Sequence, residues 1–224
     1  MHDPATLPWQ PYPPRSDAER IAQAAAFHDD MATRRSCRAF ADTPVPQEVI
    51  ETAIRTAGTA PSGANHQPWH FAAIRSPEAK AMIRVAAEEE ERAFYAGRAG
   101  EEWLSALSPL GTGPDKPFLE TAPWLIVVFA QRRGGLDLAA RAQNYYVTES
   151  VGIACGLLLA ALHQAGVATL THTPNPMRFL NRLCRRPADE KPQMIVVAGH
   201  AAPDATIPEY ALRKKPLEQI ASWL

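Results

Sequence analysis

An α+β fold is predicted for the 224-residue chain, and three observations carry it. Four short apolar runs, Trp69–Ile74, Trp124–Ala130, Val167–Thr171 and Met194–Gly199, have strand length and composition and alternate with helix-periodic stretches. The stretch Tyr145–Ala165 is apolar nearly all round, so it reads as a central helix. Both ends are broken by proline, of which the chain has 21. At this length a core can form without disulfide or metal support.

From the N-terminus, Pro4, Pro8, Pro11, Pro13 and Pro14 make residues 1–15 an extended arm. Ser16 and Glu19 have the spacing of a capping box and open a helix running to about Thr33. An extended RRSCRAF segment follows. Pro46 then starts a helix carrying Val49, Ile50, Ala53, Ile54 and Ala57 on one face. Ala60–Ala64 is a loop of small residues, and Ser76-Pro77-Glu78 opens a helix reaching about Tyr95. Residues 97–117 hold four glycines and three prolines, with only Trp103–Leu107 helical in character, and a connection this long is read as a lid. Gly166 stands at the position that ends the central helix. Pro174-Asn175-Pro176 is expected to start a short helix, and residues 203–224 form a C-terminal extension. The sequence has no internal repeat, and the whole is read as one domain.

Composition narrows the function. The chain has 23 Lys+Arg against 24 Asp+Glu, a net charge of −1, and this gives no electrostatic footprint for nucleic acid. Cys37, Cys155 and Cys184 form no C-x-x-C pair, and the histidines have no ligand spacing, so no metal site is expected. The most apolar run is short for a bilayer span. A cytoplasmic protein without a membrane segment is expected.

Arg34-Arg35-Ser36-Cys37-Arg38 gathers three guanidinium groups at a helix-to-extended junction. Planar guanidinium forks suit phosphate oxygens, but on spacing alone Arg34 and Arg35 more simply complement the carboxyl end of the preceding helix. Glu91 and Tyr95, four apart, share one helix face that leads into the lid.

In this order, RRSCRAF, EVIETAIRTAGTAPSGANHQPWHF, EEEERAFY, PFLETAPWLIVVF, NYYVTESVGIACGLLLAALHQAGVATLTHTP and KKPLEQI resemble the flavin-dependent nitroreductase superfamily, and within it the deiodinase branch. The resemblance implies a nitroreductase-like fold with a central mixed or antiparallel sheet flanked by helices, a domain-swapped homodimer, and FMN. For the flavin it implies Arg34, Arg35, Ser36, Cys37 and Arg38, then Ser62, Thr171, His172 and Thr173, with Lys214 where the branch carries a second phosphate-binding arginine. Thr173 is also expected to act catalytically by tuning the flavin N5. For a halotyrosine it implies Glu91, Tyr95 and Lys116 on the amino-acid end and Ala64 on the phenolate. The reaction expected from it is reductive dehalogenation of 3-iodo- and 3,5-diiodotyrosine, with NAD(P)H or a flavin reductase or ferredoxin-type donor supplying electrons. A general NAD(P)H nitroreductase or quinone reductase, and a non-catalytic halotyrosine- or flavin-binding protein, are the alternatives.

Overall fold

The structure is a computed structural model that describes residues 5–9, 11–137, 139 and 141–224. Pro4 of the expected arm lies outside them. The chain divides into two compact units, Met1–Arg34 and Arg35–Leu224.

In the first unit the described arm residues have no regular secondary structure, and Trp9 meets Tyr12 edge-on with ring centroids 6.1 Å apart. Helix α1 (Asp17–Thr33) opens with the expected capping box. The Ser16 backbone N–H donates to the Glu19 carboxylate at 2.7 Å, and the Glu19 N–H donates back to Ser16 Oγ at 3.3 Å. No residue of α1 is buried.

The second unit is built on a four-stranded sheet ordered β1-β2-β6-β5, with β1 Trp69–Ile74, β2 Trp124–Ala130, β5 Ala168–His172 and β6 Lys191–Gly199. All three strand pairs are antiparallel. The mixed character left open by the resemblance is confined to one parallel bridge, Ser36 to Thr169. A two-residue hairpin of β3 (Arg133–Gly134) and β4 (Ala142–Gln143), absent from the sequence reading, lies outside this sheet.

Every residue of β2 is buried, because side chains alternate across a sheet covered on both faces. Ile126, Val128 and Val196 join a core with helices α2 (Gln47–Ala57) and α6 (Val147–Gln164). Leu125, Val127, Phe129, Ile195 and Val197 join a second core with α3 (Pro77–Ala93), α5 (Phe118–Thr121) and α7 (Phe179–Leu183). The Lys80 ammonium donates to the Glu120 and Ala122 carbonyls at 2.8 Å each, satisfying the orphan carbonyls that end α5.

Helix α6 stops as its sequence requires. Gly166 takes φ +72°, the Val167 N–H reaches the Leu162 carbonyl at 2.9 Å, and the Gly166 N–H reaches His163 at 2.9 Å. Among the described residues this one helix is long and apolar enough to cross a membrane by length and composition, longer than the apolar run expected from the sequence. Its Val151, Cys155, Leu158 and Leu162 are core residues of the domain.

Strand β6 begins at Lys191, three residues before the expected Met194, and two helix boundaries also differ from expectation. The expected short helix starts at Phe179 rather than at Pro174, because the residue before a proline is pushed out of the α region and Asn175 precedes Pro176. Helix α3 ends at Ala93 and continues as a wider turn, Phe94–Arg98, closed by Gly97 at φ +144°. A left-handed glycine cannot extend a right-handed helix. In the lid, α4 (Glu101–Leu107) covers the stretch expected to be helical.

Candidate functional site

Strand β5 has a backbone neighbour outside the sheet. The Cys37 N–H donates to the Thr169 carbonyl at 2.9 Å, beside the Ser36–Thr169 bridge, so the segment after Arg35 runs along β5 as an extra edge. This pairing delivers Arg38 to a cavity of about 270 Å³ that is also lined by Lys116, Thr171 and His172. Cys37 turns its thiol to the Ala39 carbonyl at 3.0 Å, and burial raises its pKa, so it offers backbone rather than thiolate.

A larger cavity, about 740 Å³, adjoins the first through Lys116, Thr171 and His172. Glu91, Tyr95 and Thr173 line it too. Lys116 Nζ lies 3.0 Å from the Glu91 carboxylate and 5.8 Å from the centre of the Tyr95 ring, and Lys116 is only 6% exposed. The lysine ammonium also donates to the Gly113 carbonyl at 2.6 Å, and its backbone N–H donates to the Glu88 carboxylate at 2.7 Å. Tyr95 OH is 2.8 Å from Thr112 Oγ. A nearly dry ion pair beneath a tyrosine ring therefore closes one end of the cavity. Thr112 was missed in the sequence, since nothing in Gly-Thr-Gly marks a partner for a tyrosine 17 residues earlier.

His172 is buried, edge-on to Phe118 with centroids 5.6 Å apart. Its Nε2 is the single buried side-chain nitrogen or oxygen among the described residues that lacks a hydrogen-bond partner. Burial first, and then the Lys116 charge, push its pKa down to about 3, so the ring is neutral at physiological pH. An orphaned buried polar atom costs roughly 1–3 kcal/mol. With Arg38, Lys116 and the Thr171 hydroxyl nearby, the chemistry of this wall fits a polar, anionic heterocycle such as the flavin expected from the resemblance.

Other expected residues stand elsewhere. Ser62 and Ala64 line neither cavity. Ser62 Oγ accepts the Gln67 N–H at 2.9 Å, and Gly63 lies against the start of α6, where an added Cβ would come within 2.6 Å of the Tyr145 carbonyl oxygen. Ala64, Asn65 and Gln67 all have φ between +51° and +55°. Three left-handed non-glycine residues in four store strain of the kind found at binding sites. Arg34 is the C-cap of α1, in the other unit. Arg35, Ser36 and Cys37 are partly buried beside Arg38. Lys214 is exposed in the tail and lines neither cavity, while neighbouring Arg213 lies over the Tyr210 ring at 5.3 Å.

The fold and this constellation place the chain in a class, and comparison with known proteins agrees: the chain belongs to the nitroreductase family, which matches residues 31–200. Among curated proteins it is 49% identical to iodotyrosine deiodinase of Haliscomenobacter hydrossis over 88% of this chain and 89% of that one. It is 43% identical to iodotyrosine deiodinase 1 of Homo sapiens over 91% of this chain and 70% of that one. A crystal structure of an oxidised iodotyrosine deiodinase bound to FMN and 3-iodo-L-tyrosine superposes with a TM-score of 0.73 at 29% identity, covering 88% of this chain and 100% of that chain.

Proposed function

We propose that the protein is an FMN-dependent reductive deiodinase that converts 3-iodo- and 3,5-diiodotyrosine to tyrosine and iodide. The single observation that carries the substrate is the Glu91–Lys116 pair at 3.0 Å, set in the cavity wall under Tyr95. A buried ion pair needs both charges matched, and losing one partner is costly. An amino-acid zwitterion can part the two and keep both matched, its ammonium meeting Glu91 and its carboxylate meeting Lys116. A plain phenol or nitroaromatic offers neither charge.

When bound, FMN supplies the electrons that replace the carbon–iodine bond by carbon–hydrogen. The chain's own residues bind and orient. Arg35, Ser36, Cys37 and Arg38 would hold the phosphate and ring edge by charge-assisted bonds, with Lys214 adding positive charge. Thr171 and His172 would lie along the ring, the neutral imidazole satisfying its orphaned nitrogen. The Thr173 hydroxyl would donate toward the ring nitrogen N5, and the Ala64 backbone N–H would donate to the phenolate oxygen.

That Ser62 and Ala64 line neither cavity of their own chain supports a homodimer with a shared, domain-swapped site, which they would reach from a second copy. Helix α6 presents exposed Ile153, and open space lies over Gly152 and Gly156. Leu217, Ile220 and Trp223 of the tail are exposed as well. Such apolar surface suits burial against a partner. Residues 97–117 act as the lid of one functional domain. Electrons come from NAD(P)H or from a flavin reductase or ferredoxin-type donor, and the location is the cytoplasm.

Binding tests this reading. Glu91→Gln and Lys116→Ala should each weaken 3-iodotyrosine binding to the FMN-loaded protein by about tenfold or more, since each removes a charge-assisted contact. Titration of flavin fluorescence reads the affinity. Iodophenol should bind the parent far more weakly and respond to neither substitution. Equal affinity for iodophenol and iodotyrosine would remove the basis for an amino-acid substrate and leave a general nitroreductase.

A further inference from the structure

A third cavity, of about 550 Å³, adjoins the site, because Asn175, Met177, Lys191 and Pro192 line both. Its far side continues into a smaller one of about 140 Å³. The β3–β4 hairpin forms one wall, and the approaches to α7 and β6 form the other. The charge is lopsided. Six cations line the two spaces against two carboxylates. Each carboxylate is already engaged: Asp189 with Arg141 at 2.8 Å, Glu190 with Arg186 Nε at 2.8 Å. Arg132, Arg133, Arg178 and Lys191 are left, and among the described residues no side chain pairs with any of them.

Four uncompensated cations around a concavity attract anions and raise their local concentration. All four are solvent-exposed, and they line one concave space that opens into the substrate cavity. The hollow is too small for a folded partner to enter and large enough for one or two phosphates with their sugar. Arginine forks match phosphate oxygens two at a time.

We propose that this basic antechamber holds the phosphate of a diffusible reductant whose redox ring reaches into the site cavity. The inference rests on the deiodinase reading and deepens it. The shared chemistry is a phosphate-bearing electron-pair donor, either a nicotinamide dinucleotide or free reduced FMN. The balance closes for both. A reduced nicotinamide dinucleotide and iodotyrosine give the oxidised dinucleotide, tyrosine and iodide, the hydride equivalent replacing iodine on the ring. A dihydroflavin gives oxidised flavin, tyrosine, iodide and one proton. The bound dianion takes the place of the missing counter-charges.

The test uses FMN-loaded protein carrying Arg133→Glu and Arg178→Glu together, with Arg133→Gln and Arg178→Gln as a milder pair, and anaerobic iodide release as the readout. Four donors separate the sources: NADPH, reduced FMN, reduced riboflavin, and a phosphate-free dihydronicotinamide. Dithionite is the control. The expected result is a tenfold or greater rise in KM for NADPH, for reduced FMN, or for both, with phosphate-free donors, dithionite-driven turnover and FMN content unchanged. Inorganic pyrophosphate should inhibit the parent and spare the variant. An equal effect on reduced riboflavin and reduced FMN would overturn the inference, as would parent protein that accepts electrons only from dithionite or a reduced ferredoxin. Failure of dithionite-driven deiodination in the parent would instead sink the deiodinase reading itself.

Discussion

Arg38 and His172 line the joined cavities on the side proposed for the flavin, and each supports a measurement. Backbone pairing of the Arg35–Arg38 segment with β5 carries the Arg38 guanidinium to the cavity wall. Arg38→Ala should lower FMN affinity by roughly 1.5–3 kcal/mol, the worth of a hydrogen bond to a charged group. Equilibrium dialysis of the purified protein reads that loss directly. His172 makes stability pH-dependent. An unfolded histidine titrates near 6.5, whereas the folded ring binds a proton only near pH 3. Between those values the unfolded state holds more protons, so acid favours unfolding. Between pH 7 and pH 5 the loss from this group should be about 2 kcal/mol, and His172→Gln should remove it. Urea midpoints at the two pH values check it, and an unchanged difference between parent and variant would contradict the burial. Motif chemistry made Arg38 legible in the sequence, whereas His172 was expected only from the family resemblance. The orphaned nitrogen was not, since burial of His172 depends on Phe118 arriving from another element.

Among the elements, α6 was the most readable, because a long apolar stretch with a glycine at its end leaves little choice of structure. Capping chemistry did the same for α1, and the four strands stand at the apolar runs, of which β2 is buried throughout, although β6 begins at Lys191 rather than Met194. The hairpin Arg133–Gln143 and helix α5 were not legible. The hairpin has two-residue strands, and α5 is one turn whose end carbonyls are held by buried Lys80 from another helix. Close approach also fixes particular glycines. A Cβ on Gly199 would stand 2.5 Å from the Pro123 ring, and the ring cannot swing away. Gly199→Ala should therefore cost about 1–3 kcal/mol as an overpacked contact, read as a lowered denaturation midpoint. A variant as stable as the parent would mean that β2 and β6 shift freely there.

At the scale of the whole molecule, one chain carries two separate groups of expected site residues. Glu91, Tyr95, Lys116, Arg38 and Thr171–Thr173 surround the joined cavities, while Ser62 and Ala64 stand on the strained loop at the start of α6. The sequence order made every member visible but not this division, because spacing along a chain does not say which loop meets which cavity. Electron flow to the carbon–iodine bond remains the claim on which the rest depends. Its most direct test is an anaerobic titration of the dithionite-reduced, FMN-loaded protein with 3-iodotyrosine, following the flavin absorbance while tyrosine and iodide are quantified. Deiodination requires the flavin to reoxidise with about one tyrosine and one iodide formed per flavin, in keeping with a two-electron reduction. A flavin that stays reduced with iodotyrosine, yet reoxidises at once with a nitroaromatic, would contradict it.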